Sequence, residues 1–181
     1  MTHKFAICLY QPDMPQNLGV IIRTAACLEF PLHIIKPLPF SMTDKRFKGA
    51  VMDYIDHCEI VNHENWENFY LYSKKNNNRI ILATTKTDNN LYEFKFEDND
   101  IILFGKETAG VPETIHNTVN NKITIPISSK TRSLNLATSV AIVVSSIKAL
   151  IDETTIATEV ARFNDLVLLL IGIVILLLTV L

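Results

Sequence analysis

The sequence predicts an α/β fold, in which a mostly parallel sheet is flanked by helices. Short apolar segments alternate with segments whose apolar residues recur at helical spacing through the first 150 residues. Strands that alternate with helices are joined by helical crossovers, which favours parallel pairing and a sheet covered on both faces. The length of 181 residues and the hydrophobic fraction of 48% suit one domain with a single core.

Six strands are predicted, each a short and mostly apolar run that ends at proline, glycine or polar residues. They span residues 5–10, 32–35, 58–61, 79–84, 101–104 and 123–127.

Five helices are predicted between and after these strands. Asn17 is expected to cap the first helix, and either Thr43 or Asp44 is expected to cap a short basic helix that runs through Lys48. Because proline suits the first turn of a helix, Pro112 is expected to begin the fourth. The third, fourth and fifth helices are predicted at residues 66–74, 112–119 and 133–151.

The C-terminal segment differs from the rest of the chain in composition. Residues 166–181 carry no charge and are apolar except for Gly172 and Thr179. This run falls just short of the roughly 18–20 residues that a membrane-spanning helix needs. Three interpretations stay open: a marginal membrane anchor, an apolar helix buried in an oligomer, or a terminus altered by a reading-frame change. We expect a domain at residues 1–157 and a tail at residues 158–181, whose contact with a membrane would not affect activity.

Charge and motif content argue against several classes of function. The net charge of −2 is unusual for a protein that wraps duplex nucleic acid with a broad basic face. The chain lacks a GxGxxG fingerprint, a P-loop, an HExxH motif and a GxSxG elbow. Its histidines and cysteines are scattered without metal-ligand spacing, so we predict no metal site. The N-terminus shows no secretory signal pattern, and we expect a cytoplasmic protein.

The first of three loops that follow predicted strands spans residues 12–23. Open α/β sheets bind ligands just beyond the carboxyl ends of their strands, so such loops are candidate site elements. Gly19 permits a close backbone approach in the first turn of the helix, and Arg23 lies about one turn further along. An ordinary cap at Asn17 and a solvated charge at Arg23 remain the alternative.

The second and third loops also combine glycine, hydroxyl and charged residues. Residues 104–112 place two glycines around a charged turn, in which Glu107 could hold a ribose hydroxyl or a basic side chain. Residues 125–136 carry Lys130 and Arg132 before a helix that starts at Ser133 or Asn135, and free N–H groups at such a start favour an anionic ligand. Plain connections between strand and helix are the alternative for both loops.

Together the three loops resemble, in order and spacing, the SPOUT class of RNA 2′-O-methyltransferases, and most closely its branch that acts on the tRNA wobble nucleotide. The first motif of the class, Asn-x-Gly-x-x-x-Arg, matches Asn17, Gly19 and Arg23. The second, Phe-Gly-x-Glu-x-x-Gly-x-Pro, matches Phe104, Gly105, Glu107, Gly110 and Pro112. The third, Ile-Pro followed by Ser-x-Asn-Leu, matches Ile125, Pro126, Ser133, Asn135 and Leu136. The resemblance covers about residues 4–150.

The resemblance implies a C-terminal deep trefoil knot, a homodimer and tRNA as the substrate. It implies S-adenosylmethionine as the methyl donor and S-adenosylhomocysteine as the product, with no metal. In the class the donor is held mostly by backbone atoms, which in this sequence belong to Ala83, Gly105, Ile125, Ser133 and Leu134.

The resemblance also assigns catalytic roles to Arg23, Asn17 and Asn135. Related enzymes use the motif arginine to remove the proton, but a guanidinium is effectively always protonated. We therefore expect Arg23 to hold the phosphate beside the target ribose and to stabilise the developing alkoxide. Asn17 is expected to orient Arg23, and Asn135 and Ser133 are expected to shape the knot loop. The expected substrate contacts are Lys45, Arg46, Glu107, Lys130 and Arg132.

The second motif departs from the branch at two positions. Ala109 stands where an arginine is usual, and Lys106 stands where a proline is common. Two other functions remain as alternatives: the same chemistry on ribosomal RNA, and a knotted RNA-binding module without turnover. Binding of the methyl donor separates the enzymes from the module.

Overall fold

The computed structural model describes the backbone of residues 5–179 and the side chains of residues 5–165 and 167. The strands are β1 Ala6–Tyr10, β2 Leu32–Ile35, β3 Ile60–His63, β4 Arg79–Ala83, β5 Asp100–Phe104 and β6 Asn121–Ile123. They form one sheet in the order β3-β2-β1-β5-β4-β6, and every pair is parallel. The predicted parallel α/β fold is confirmed.

Five α-helices and two short 3₁₀ turns connect these strands. The helices are α1 Pro15–Leu28, α2 Lys45–Val51, α3 Trp66–Lys75, α4 Glu113–His116 and α5 Leu136–Thr179, and the turns are Tyr54–His57 and Leu91–Glu93. Every residue of β1, β2 and β5 is buried, because these strands lie in the middle of the sheet with helices over them. The chain divides into a compact unit that ends at Ser145 and a second unit that begins at Ser146.

The start of α1 corrects one prediction. Asn17 does not cap this helix, which begins at Pro15 with Met14 in the N-cap position. Proline has a φ preset for the first helical position, and the N–H it lacks would be unpaired there in any case, so the helix starts at Pro15. The side chain of Asn17 is thereby free to form hydrogen bonds elsewhere.

Other helix and strand limits also differ from the predictions. Strand β6 ends at Ile123, so the predicted strand residues 124–127 leave the sheet. Helix α4 ends at His116 rather than near residue 119. Asp44 caps α2 as predicted, since its side chain accepts a hydrogen bond from the Arg46 backbone N–H at 2.8 Å. Asn135 precedes α5 and accepts from the Thr138 backbone N–H at 3.3 Å, which agrees with one of the two predicted starts.

Helix α1 packs closely on α2 at Gly19. A Cβ atom added at Gly19 would lie 2.6 Å from Ala50 Cβ and 2.9 Å from Val51 N. Only glycine allows this approach, which fixes the helix that carries Lys45 and Arg46 against the helix that carries Arg23.

Replacement of Gly19 by alanine is therefore expected to lower the free energy of unfolding by about 1–3 kcal/mol, as for other overpacked positions. Chemical denaturation of the two proteins measures the difference. Gly49→Ala in α2 is the matched control, because an added Cβ there meets no atom within 4 Å. That variant should gain about 0.5–1 kcal/mol from helix propensity. Equal stabilities for the two variants would contradict the close packing of α1 on α2.

Most side chains of the predicted tail lie outside the described residues. The side chains of residues 166 and 168–181 are not described, so the three interpretations of residues 166–181 stay predictions, as does the boundary after residue 157. Within the described part of the chain, no helix has the length and apolar character needed to cross a membrane.

Candidate active site

The loops at the carboxyl ends of four strands surround a cavity of about 430 Å³. These strands are β1, β4, β5 and β6. From β1 the chain adds β2 and β3 on one side of the sheet and then β4, β5 and β6 on the other, so the strand order changes direction at β1. Open parallel sheets place their ligands at this kind of switch point. The volume is in the range of small-molecule sites.

Eight of the residues predicted from the sequence meet at this cavity. All five positions expected to hold the methyl donor line it, and so do two expected catalytic residues and one expected substrate contact: Ala83, Gly105, Ile125, Ser133, Leu134, Asn17, Asn135 and Glu107. The structure therefore brings together residues that lie up to 118 positions apart in the chain.

Side-chain hydrogen bonds join the three motif loops around this cavity. Glu107 Oε2 accepts from the Asp13 backbone N–H at 2.9 Å, and Glu107 Oε1 accepts from Asn17 Nδ2 at 2.9 Å. Asn135 Nδ2 donates to Asn17 Oδ1 at 3.0 Å. Asn17 thus bridges the second and third loops, which holds both against the start of α1.

The carboxylates of this network have shifted proton affinities. Burial raises the pKa of Glu107 and the side-chain interaction with Asp13 adds to this effect, while the hydrogen bonds from the Asp13 backbone N–H and from Asn17 act to lower it. For Asp13, burial also acts to raise the pKa, but hydrogen bonds from Thr108 and Glu107 outweigh it and lower the pKa. The loops are therefore joined by an ionised Asp13 beside a glutamate that keeps its proton to higher pH than usual.

Arg23 lies further along α1 and has a different neighbour. It is six residues beyond Asn17, about 9 Å of helix rise. Its guanidinium carbon lies 5.0 Å from the ring centroid of Tyr54, a cation–π contact. Arg23 is not among the described residues that line the cavity. The side chain of Asn17, which was expected to orient Arg23, instead bonds to Glu107 and Asn135.

The predicted cationic contacts lie on the surface away from the cavity wall. Arg46 Nη2 pairs with Asp44 Oδ2 at 2.8 Å. Lys45, Lys130 and Arg132 are exposed, the last two in the loop that leads from β6 to α5.

Asp13, Lys86 and His116 are among the residues of this site that sequence reasoning did not select. Asp13 contacts Glu107, and both Lys86 and His116 line the cavity. Asp13 stands inside the first loop, so its position was a usable signal. His116 has no such signal, because only the fold brings the end of α4 to the cavity.

Comparison with known families and proteins gives a consistent result. The sequence profile of the SpoU rRNA Methylase family matches residues 4–145. The tRNA (cytidine(34)-2′-O)-methyltransferase of Ancylobacter novellus is 39% identical over 132 residues, which are 73% of this chain and 84% of that protein.

Two solved structures share the fold. One, described as giving structural insights into the 2-OH methylation of C/U34 on tRNA, has a TM-score of 0.77 and 34% identity, and covers 84% of this chain and 99% of its own. The other is the SpoU methyltransferase AviRb of Streptomyces viridochromogenes in complex with AdoMet. It has a TM-score of 0.75 and 18% identity, and covers 83% of this chain and 59% of its own. At that identity the likeness concerns the fold alone.

Proposed function

Because the chain belongs to the SpoU rRNA methylase family, we propose that it methylates the ribose 2′-hydroxyl of the tRNA wobble nucleotide, with S-adenosylmethionine as donor. The observation that carries this proposal is the convergence of the three motif loops on one cavity, where eight predicted site residues line the wall. The resemblance to the SPOUT class inferred from the motifs agrees with the family match.

The choice of tRNA over ribosomal RNA rests on the relatives. The relative at 39% identity is named for cytidine 34 of tRNA, and this chain covers 84% of it. The solved structure at 34% identity is described as concerning C/U34 of tRNA, and the match covers 99% of its chain. The target is therefore a cytidine or a modified uridine at that position.

The cavity fits a donor of this size and chemistry. Its volume of about 430 Å³ suits a molecule that joins a nucleoside to an amino acid. A Cβ atom on Gly105 would collide with the neighbouring backbone, so that wall is built from main chain. Exposed backbone groups of this kind are what a donor held mostly by backbone atoms requires. When bound, the donor supplies a methyl group on a positively charged sulfur.

The residues of the chain then position the acceptor. Asn17, fixed by Glu107 and Asn135, holds the first turn of α1 at the cavity mouth. Arg23, steadied by the Tyr54 ring, would hold the phosphate beside the target ribose and stabilise the oxyanion as the hydroxyl loses its proton. Lys45, Arg46, Lys130 and Arg132 would contact the RNA backbone, and their contribution should weaken with salt.

We further propose the trefoil knot and the homodimer of the class. After β6, Thr124 donates its N–H to Asn89 O at 2.8 Å and accepts from the Leu91 N–H at 2.9 Å. These bonds between the returning chain and the loop that follows β4 support the proposed knot. The exposed Leu150, Ile156 and Phe163 of α5 would be covered by a partner subunit. A monomer in analytical ultracentrifugation would contradict the dimer, and an experimental chain trace outside the loop would contradict the knot.

The domain boundary and the location of the protein complete the proposal. Residues 1–157 would form the methyltransferase, residues 158–181 would not be needed for its chemistry, and the enzyme would act in the cytoplasm, where its tRNA is found. Proteolysis that removes the tail and abolishes methyl transfer would contradict this boundary.

A methyl-transfer assay with full-length protein, labelled donor and unmodified tRNA tests the main proposal. We expect one methyl group per tRNA, placed at nucleotide 34 by mass mapping of 2′-O-methylated nucleosides. The matched control is the same tRNA with a 2′-deoxyribose at position 34, which should accept no methyl group. Transfer to ribosomal RNA instead would support the first alternative, and no donor binding at sub-millimolar concentration would support the non-catalytic module.

A further inference from the structure

One buried side chain on the cavity wall is left without hydrogen bonds. His116, the last residue of α4, is only 8% exposed and lines the cavity. Among the residues that the structure describes, neither its Nδ1 nor its Nε2 atom has a hydrogen-bond partner. Buried polar groups in folded proteins nearly always have one.

The chemistry of this side chain limits what can satisfy it. A neutral imidazole presents one donor and one acceptor. Ile115, which precedes it in the chain, and Val111, which lines the same cavity, belong to or pack on the hydrophobic core and offer no polar side-chain atoms. A molecule in the cavity is therefore the natural partner, and it must itself present a donor or an acceptor at a buried position.

The distribution of charge around the cavity indicates which part of the donor this is. Lys86 is exposed, and Lys106 and Glu107 are partly exposed, so the ionic side chains lie toward solvent. These ionic side chains suit the carboxylate and ammonium groups in the amino-acid part of the methyl donor. The uncharged base, with donor and acceptor atoms along one edge, is the part whose burial costs least.

From this arrangement we propose that His116 hydrogen-bonds the adenine base of the methyl donor and contributes to selection of the adenine nucleoside. The inference rests on the proposed function, since it assigns a role within that donor site. It assigns His116 to ligand binding and not to the stability of the free protein, because none of the described residues gives its ring nitrogens a hydrogen-bond partner.

Calorimetric titration with S-adenosylhomocysteine and with adenosine tests this role. His116→Leu should weaken the binding of both ligands by about 10-fold, the value of one hydrogen bond. His116→Gln keeps a donor and an acceptor and should recover part of the loss. The matched control is His57→Leu, the same change at an exposed histidine outside the cavity lining, which should bind like the wild type.

Thermal unfolding of the ligand-free proteins separates this role from a structural one. Leucine removes an unsatisfied buried group, so the midpoint of H116L should equal or exceed that of the wild type. A clearly lower midpoint, or wild-type affinity for S-adenosylhomocysteine in H116L, would overturn the inference. Loss of S-adenosylhomocysteine affinity with unchanged adenosine affinity would overturn the assignment to the base. A wild-type protein that does not bind S-adenosylhomocysteine would instead contradict the proposed function.

Discussion

Replacement of Arg23 by alanine is expected to lower the single-turnover rate of tRNA methylation by about 10²–10³-fold, the usual effect of losing one preorganised oxyanion donor. The physical reason is that the ribose hydroxyl becomes an oxyanion as it loses its proton, and a fixed guanidinium stabilises that charge. Arg23 lies outside the cavity lining, so calorimetric affinity for S-adenosylhomocysteine should stay unchanged. A variant that loses donor affinity together with rate would place Arg23 in the donor site instead.

Arg23→Lys tests whether two parallel hydrogen bonds are needed. Lysine keeps the charge but loses the planar fork that binds a phosphate through two N–H groups. We expect at least about a 10-fold slower methyl transfer, which corresponds to one lost hydrogen bond to a charged group. Arg162→Lys, an exposed arginine in the second unit, is the matched control and should be unaffected. Full turnover in R23K would show that a point charge suffices.

Among the residues that the structure describes, Arg23 has no carboxylate partner, and the neighbouring aromatic ring holds it instead. The Tyr54 ring lies 5.0 Å from the guanidinium carbon, so stacking restrains the side chain and leaves its N–H groups for the substrate. A carboxylate in that place would compete with the phosphate for the same N–H groups. The pairing of Arg23 with an aromatic ring is therefore consistent with a phosphate-binding role.

The parts of this fold that the sequence predicts well are those set by local pattern. Strand β2 matches its predicted span and β1 nearly does, because both are fully buried apolar runs that end at a proline or a polar residue. The wrong limit of β6 has its cause at the site. Ile125 and Ile127 look like strand residues, but they line the cavity, and an apolar pocket wall has the same composition as a buried strand.

The polar network could not be read from the sequence because its members are distant in the chain. Asn17 looks like a helix cap, and its actual partners Glu107 and Asn135 are 90 and 118 residues away. Only the parallel sheet, which gathers the carboxyl ends of its strands at one edge, brings them into contact. The motifs identify residues that meet at the cavity, and the fold determines which of them bond to one another.

Replacement of Gly105 by alanine is expected to weaken donor binding, with affinity for S-adenosylhomocysteine reduced by more than the roughly 10-fold that a single lost hydrogen bond explains. An added Cβ would lie 2.5 Å from the carbonyl carbon of Gly110 and 2.8 Å from Val111 N. Backbone atoms cannot move aside as a flexible side chain can, so the second loop must open. Its closure by two hydrogen bonds between Lys106 and Gly110 would then be lost.

Gly110→Ala is the control that separates a steric clash from backbone strain. Gly110 has φ near +67° but open space where a Cβ would stand, so alanine there meets strain without a collision. We expect G110A to lose about 1–2 kcal/mol of stability and to keep measurable donor binding. Calorimetry and chemical denaturation of both variants test this difference. If G105A bound the donor as well as G110A, the backbone wall at Gly105 would not be part of the donor site, and Ile125 and Ser133 would have to form it without the second loop.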